Sequence, residues 1–481
     1  MQRRPLVSGL IGGIAVTLAA VGGVPAIGQP GSGQATHPSH GHHVPTPRGP
    51  KPPPRAAQAT FAVGQLQAQT VGQTGCGTNA AGEPSIHVSK TNLVGLGSEN
   101  GLGNGSEFWA GHQVRGASPS AACALTYEGQ PNAVGIGASG GDVDVAIAPV
   151  KDPTTGTFRI YVASLNIASV NVATSTDDGK TFGQVPVVEG VPVDDREWIA
   201  AYGASTALLS YHDVATGNID VLRSDDGGQT FVQSSRVIDD SDYKSGANEH
   251  GNLVIDHVNT KGATPGQFWA YQSFVAPSTS SGSTYDEAFL GVSNDGGATW
   301  KDKPIPCTTK FGANGLDHNF PNVSVAPNGN LFYAVSNDKA VYVAMSTNHG
   351  DTWTCSGPVS TGTQAIFPWL VATNYGVDLV YYGAKGTGAS QLWSAYFAQT
   401  LQQAVSSWTT TKVVDVHLGP VCEGGFSCSG NRQLFDDFGV DTDQSGWAHI
   451  AYSHDSPNLG DANTYTGYAV QTGGTPIGAP N

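Results

Sequence analysis

One eight-residue turn is written four times into this chain of 481 residues. It reads STDDGKTF from Ser175 to Phe182, SDDGGQTF from Ser224 to Phe231, SNDGGATW from Ser293 to Trp300 and STNHGDTW from Ser346 to Trp353. Each copy follows a short alternating apolar run such as VNVAT or AFLGV, and each ends on an aromatic residue. The chemistry is that of a hairpin between two strands. An Asp carboxylate, replaced by Asn348 in the last copy, can accept backbone N–H groups inside a tight turn, Gly tolerates positive φ, and the aromatic restarts a strand with a broad face to bury. Hairpins recurring at such spacing imply a repeat architecture, in which each unit buries its apolar faces against its neighbours. With Gly 64, Pro 29 and 12% charged residues, the chain suits many short strands and turns, so the expected class is all-β.

The pattern Ser-x-Asp-x-Gly-x-Thr-Trp/Phe resembles the Asp box, or BNR repeat, of a superfamily of β-propellers whose best-known members are sialidases. In that family the box marks the fold on the face away from the active site, so the resemblance implies architecture more firmly than activity. If each box joins the third and fourth strands of a blade, the first and second strands lie upstream. First-strand candidates are SIHVS at Ser85, VDVAIAP at Val143, EWIAAYG at Glu197, GNLVIDH at Gly251, PNVSVAP at Pro321, PWLVATN at Pro368 and FGVDTD at Phe438. That gives a single β-propeller of seven four-stranded blades, with six left open because the first and last units are the least regular. Blade seven runs out after its third strand near Thr472, so the segment from Thr60 to about Gln69 is expected to complete it, leaving no free sheet edge. Sialidases have six blades, and a seventh is the first departure from them.

Residues 1–28 combine Arg3 and Arg4 with an apolar run from Leu6 to Val24 and read as a secretory signal peptide. Residues 29–58, rich in Pro, Gly, Ser and His, read as a flexible linker, and 59–481 as the propeller. No other stretch is apolar enough to cross a membrane. The chain is therefore expected to be secreted. Its six cysteines form an even set without a CxxC pair, which in an exported chain favours disulfides over zinc. Cys422 and Cys428 could close a small loop, Cys307 and Cys355 each follow a box and could staple neighbouring blades, and Cys76 and Cys123 remain. Removing 1–28 leaves 20 basic against 38 acidic residues, a net of −18 that repels nucleic acid and anionic membranes. A monomer with no required cofactor is expected.

A propeller gathers the loops leading into its innermost strands around one mouth of the central channel, and function is sought there. Those positions hold Glu83, Asp142 and Asp144, Asp194 to Glu197, Glu249 and His250, Asp317 and His318, Phe367 and Trp369, and Asp436 and Asp437. Six of the seven lead-ins carry a carboxylate in a chain where charge is sparse. Any one of them is explained by bonding the amides of its own loop. A ring of them is not: like charges converging on one mouth must take up protons, a cation or a substrate. Ca2+ suits an oxygen-rich ring, whereas a transition metal on His250 and His318 has no ligand-spacing motif behind it. Glycoside hydrolysis needs one carboxylic acid to protonate the leaving oxygen and a second carboxylate as nucleophile or base.

The catalytic candidates are Asp142, Asp195, Asp317 and Asp436. Candidates for substrate contact are Arg196, Arg432, His250, His318, Trp198, Trp369 and Phe367, the aromatic ones having packing between blades as their other explanation. In a seven-fold ring Asp142 would face Asp317 or Trp369, and Asp195 would face Trp369 or Asp436. Sialidases grip a sugar carboxylate with three arginines, but only Arg196 and Arg432 are placed for the mouth here, and Arg115 or Arg236 would have to complete the set. The leading expectation is thus a secreted glycoside hydrolase acting on extracellular glycans, with xyloglucan-degrading propellers as the nearest enzymatic likeness. A non-catalytic glycan- or protein-binding propeller and an exo-sialidase with an incomplete arginine clamp are the alternatives.

Overall fold

The computed structural model describes residues 54–478 except 102, 133–139, 167–168, 188–193, 308–314, 317–319, 425–427, 437, 456–458 and 461–462. The predicted signal peptide, most of the predicted linker, and Asp317, His318 and Asp437 lie outside them. Among the described residues the strands form seven antiparallel sheets of four, a seven-bladed β-propeller. The innermost strands are Gly82–Val88, Val143–Ile147, Asp194–Tyr202, Glu249–Ile255, Asn322–Val325, Gln364–Ala372 and Gly439–Thr442, one for each of blades 1 to 7. All seven expected first strands are found, and blade 7 is completed on its outer edge by Thr60–Gln65, paired antiparallel with Tyr465–Gly473. The six-bladed alternative is excluded.

The second and third strands lie between neighbouring blades and are covered on both faces. Ile160–Leu165, Ala270–Ala276 and Leu331–Ser336 contain no exposed residue, which is why they read as continuous apolar runs with small residues interspersed. Outermost strands are more exposed and, apart from the ten-residue Thr409–Leu418 of blade 6, short, down to the pair Thr354–Cys355.

Each repeated turn joins a third strand to a fourth, in blades 2 to 5. In the second copy Ser224 Oγ donates to Asp226 at 2.8 Å and accepts from Gly228 N at 2.9 Å, while Asp226 accepts Thr230 N at 2.9 Å and Thr230 Oγ1 at 2.6 Å. The same bonds recur around Asp177 and Asp295, while Asn348 accepts Thr352 N through Oδ1 and donates through Nδ2 to Thr352 Oγ1. The turn also fastens blades together. Its glycine adopts positive φ so closely against the preceding blade that a Cβ on Gly179, Gly228, Gly297 or Gly350 would lie 2.8, 2.7, 3.1 or 3.1 Å from Phe108, Thr174, Leu208 or Leu290.

Innermost strands diverge from their neighbours and cannot form one continuous sheet, so side chains supply the bonds between them. Ser85 Oγ donates to Asp144 at 2.6 Å, Asp144 accepts Ile199 N at 2.8 Å, Asn252 accepts Val323 N at 2.7 Å, Asn322 accepts Leu370 N at 2.8 Å and Asp441 accepts Val88 N at 2.6 Å. Backbone donors facing the channel are thereby satisfied without pairing of strands. Asp144, expected among the mouth residues, belongs to this belt. Inside it runs a cavity of about 300 Å³ lined by residues of all seven innermost strands. Disulfides join Cys76 to Cys123, Cys307 to Cys355 and Cys422 to Cys428, so the pairings open from sequence are all formed. No helix among the described residues is long and apolar enough to cross a membrane.

Candidate active site at the channel mouth

Antiparallel order places the loops leading into first strands and those between second and third strands on one face, with the repeated turns on the other. On the first of these faces the strands do not start cleanly. Three innermost strands enter through a bulge whose residue has positive φ: Glu83 at 51°, Arg196 at 41° and Phe367 at 54°. Phe435, in the lead-in to blade 7, does the same at 56°. Left-handed backbone at a side-chain-bearing residue costs on the order of 1–2 kcal/mol, and a bulge re-aims a side chain out of the strand's alternation. The strands therefore begin earlier than their apolar pattern, and the charged residues read as loop lie within them.

Arg196 is the hub. Its Nη1 donates to Glu83 Oε1 at 2.6 Å and lies 4.0 Å from Asp142, while its guanidinium carbon sits 3.9 Å from the ring centre of Trp198 and 5.1 Å from that of Phe320. Only 2% of the Arg196 side chain is exposed, so it neutralises carboxylates from below and does not reach for a ligand. Trp198, Phe320 and Trp369 pack together beneath it, with ring centres 5.2 Å apart for the two tryptophans. Of these three, Trp198 is wholly buried while Phe320 and Trp369 keep partial access.

Around this floor stand more carboxyl groups than donors can satisfy. Oxygens of Glu83, Glu99 and Asp142 all lie within 4.8 Å of one another. Glu83, Glu197 and Asp436 each keep at least one buried oxygen without a hydrogen-bond donor among the described residues, and Glu197 keeps both. Burial first, and the Asp142 charge second, raise the Asp195 carboxyl to about 6 and the Glu99 carboxyl to about 7. Glu249 is pushed to about 8 by burial and by Asp195 and Asp436. Glu83 and Glu197 are raised well above the carboxylate range by the same causes. Asp436 accepts a hydrogen bond from Arg432 Nη2, which offsets part of its burial. At neutral pH the mouth is thus a mixture of acids and carboxylates, which is what proton transfer to and from a bound molecule requires.

Of the residues expected to act, Asp142, Asp195, Asp436, Arg196 and Arg432 come together, with Trp369 below them. Trp198 and Phe367 are 0% and 2% exposed and serve as packing, the latter against Tyr382. His250 is also fully buried, stacked on His212 with ring centres 5.7 Å apart, so it offers no ring to a ligand. The other arginines proposed for a clamp are elsewhere: Arg236 bonds Asp220 and Asp240, and Arg115 is exposed in a loop whose Gly116 bonds Asp443 of blade 7. Sequence reasoning passed over Glu99, which ends the second strand of blade 1, and the pair Asp338 and Glu423, where burial and Asp338 raise the Glu423 carboxyl to about 8. The signal was present as the acidic ends of second strands, GSE and VSND, whose loops open on the same face.

No family model matches the sequence, and no curated protein matches it. Among solved structures the chain is similar to the GH93 alpha-L-arabinofuranosidase of Fusarium graminearum, at 12% identity over 86% of this chain and 98% of that one, with a TM-score of 0.46. It is similar to the GH74 xyloglucanase of Xanthomonas campestris at 13% identity, over 82% of this chain and 55% of the other, with a TM-score of 0.45. The Hadza microbial sialidase Hz136 shares 12% identity over 86% and 93%, with a TM-score of 0.40. What this chain has in common with them is the propeller.

Proposed function

We propose that the protein is an exported, monomeric, carbohydrate-active propeller that hydrolyses glycosidic bonds of extracellular glycans at the channel mouth. The observation that carries this reading is a set of partly accessible carboxyl groups poised between about 6 and 8 around one opening, above the partly buried rings of Phe320 and Trp369. Asp195 of blade 3 is the acid: burial keeps it protonated up to about 6, and it gives its proton to the leaving oxygen. Asp436, on the lead-in to blade 7 three blades away, is the carboxylate, oriented by Arg432 to stabilise the developing positive charge or to activate water. Arg196, buried, and Arg432, partly exposed, are both already bound to carboxylates and leave no guanidinium cluster for an anionic sugar, which favours neutral glycans over sialylated ones.

The test is release of reducing sugar from a panel of neutral polysaccharides. Asp195→Asn and Asp436→Asn should each lower the rate at least ~100-fold while the fold is kept. Undiminished activity in both variants overturns the assignment. Binding of a glycan without any release by the wild type would favour the non-catalytic reading, for which the burial of Trp198, Phe367 and His250 already speaks, since it leaves few groups free to grip a transition state.

A further inference from the structure

We propose that Glu83, Glu99 and Asp142 hold a Ca2+ ion at the mouth of the channel. The three carboxylates come from two blades and three separate segments: the bulge of the first strand of blade 1, the end of its second strand, and the lead-in to blade 2. Each offers an oxygen, and those oxygens lie within 4.8 Å of one another, close enough for all three to touch one ion at 2.3–2.6 Å.

A second observation makes this more than a cluster of acids. The Glu83 side chain is 0% exposed, its Oε1 is taken by Arg196, and its Oε2 has no donor from another residue type among the described residues. The Glu99 carboxyl is within hydrogen-bond reach of that of Glu83, and Glu99 Oε2 is likewise buried with no other donor among the described residues. Two acceptor groups turned toward each other in a shielded site need something positive between them, either a proton or a metal ion. With every carboxyl ionised, three carboxylates and the single guanidinium of Arg196 leave −2, and the nearby Arg432 is already committed to Asp436. Protons on both Glu83 and Glu99, or one Ca2+ in their place, bring the site to neutrality, so the ion binds by displacing those protons.

The donor set selects the ion. With carboxylate oxygens and no His or Cys in the group, hard cations are favoured over zinc or copper. Mg2+ demands near-ideal octahedral geometry at short distances, whereas Ca2+ accepts the irregular set that three carboxylates from separate segments present. Asp142, 16% exposed, opens the site toward solvent, so the remaining coordination positions are filled by water. Such an ion would bridge blades 1 and 2 and fix the height of Arg196 over Trp198.

This inference goes beyond the hydrolytic reading, and its test uses no glycan. The full chain, stripped with EGTA, is titrated with CaCl2 by isothermal calorimetry near neutral pH, and its thermal midpoint is compared in CaCl2 and EGTA. One ion per chain and a rise in Tm of about 2 °C or more are expected. Glu99→Gln and Asp142→Asn should each weaken binding at least ~10-fold, while Asp226→Asn, in a turn on the opposite face, binds Ca2+ like the wild type. Glu83→Gln is avoided as the decisive variant because it strands Arg196. Absence of heat and of any Tm change in the wild type, or equal binding by Glu99→Gln and Asp142→Asn, overturns the proposal and leaves a shared proton in its place.

Discussion

The two faces of this propeller use the same residue type for opposite ends. On the face of the repeated turns, Asp226 has four donors around its carboxylate, and although burial works the other way, the bonds from Thr230, Ser224 and Gln229 bring it down to about 2. Asp177 and Asp295 are lowered in the same way. At the mouth, Asp195 has one backbone donor, Arg196 N at 3.0 Å, and a ring of like charges, and it is raised to about 6. A carboxylate surrounded by its own turn's donors is a structural part. One that a bulge has turned toward other carboxylates keeps its chemistry unspent. The contrast extends to the backbone, since positive φ on the turn face falls mainly on glycine, whereas at the mouth it falls on Glu83, Arg196, Phe367 and Phe435.

Substitutions should separate the faces. The largest effect is expected at the mouth, where Asp195→Asn lowers glycan hydrolysis at least ~100-fold without lowering stability, because a neutral amide removes a charge that burial opposes. A fall in Tm comparable to that of a turn variant would erase the distinction. Next comes Gly228→Ala on the opposite face. With φ at +81° and a new Cβ 2.7 Å from Thr174 Cγ2, it should cost about 2 kcal/mol in denaturant unfolding and leave the specific activity of the folded fraction untouched.

The pH dependence has opposite signs on the two faces. Mouth carboxyls are more basic folded than unfolded, so their contribution is fully present below about 4.5 and is lost as pH rises through about 6 for Asp195, 7 for Glu99 and 8 for Glu249. The turn carboxylates are more acidic folded, so theirs is present above about 3.9 and is lost as pH falls toward 2. Stability of the EGTA-treated protein should therefore decline between pH 5 and about 8, and Ca2+ should flatten that decline. A profile level over this range without Ca2+ would mean that the mouth carboxyls are not burdened as described. Glycan hydrolysis should likewise fall as pH rises through about 6, where Asp195 loses its proton.

The smallest effect should be Asp226→Asn, at about 0.5–1 kcal/mol. The fourth turn shows why: Asn348 Oδ1 still accepts Thr352 N at 3.0 Å, and only the charge is given up. Asn348→Asp should recover a similar amount. Equal costs for Asp226→Asn and Asp226→Ala would show that the amide does not replace the carboxylate there.

What could be read along the chain was whatever depends on near neighbours. Turns specified by Ser224, Asp226, Gly228 and Thr230 declare themselves within eight residues, and strands between blades declare themselves by unbroken apolar runs, so seven blades, the closing strand from Thr60 and the three disulfides were legible. The acidic lead-ins were legible too, but not their fates. Glu99 joins the site from the acidic end of a second strand, a signal that was present but not read, whereas Glu423 joins it through a loop that no local pattern ties to it. Trp198, Phe367 and His250 occupy the predicted mouth positions and are nevertheless buried, because the bulges at Arg196 and Phe367 carry the strands higher than their apolar alternation suggests. Hydrogen bonding within a turn is settled by residues a few places apart, and the sequence alone determined it. Desolvation and charge repulsion act through space between segments as distant as Glu83 and Arg196, so only the closed ring decided which carboxylates would be struts and which would remain free to react.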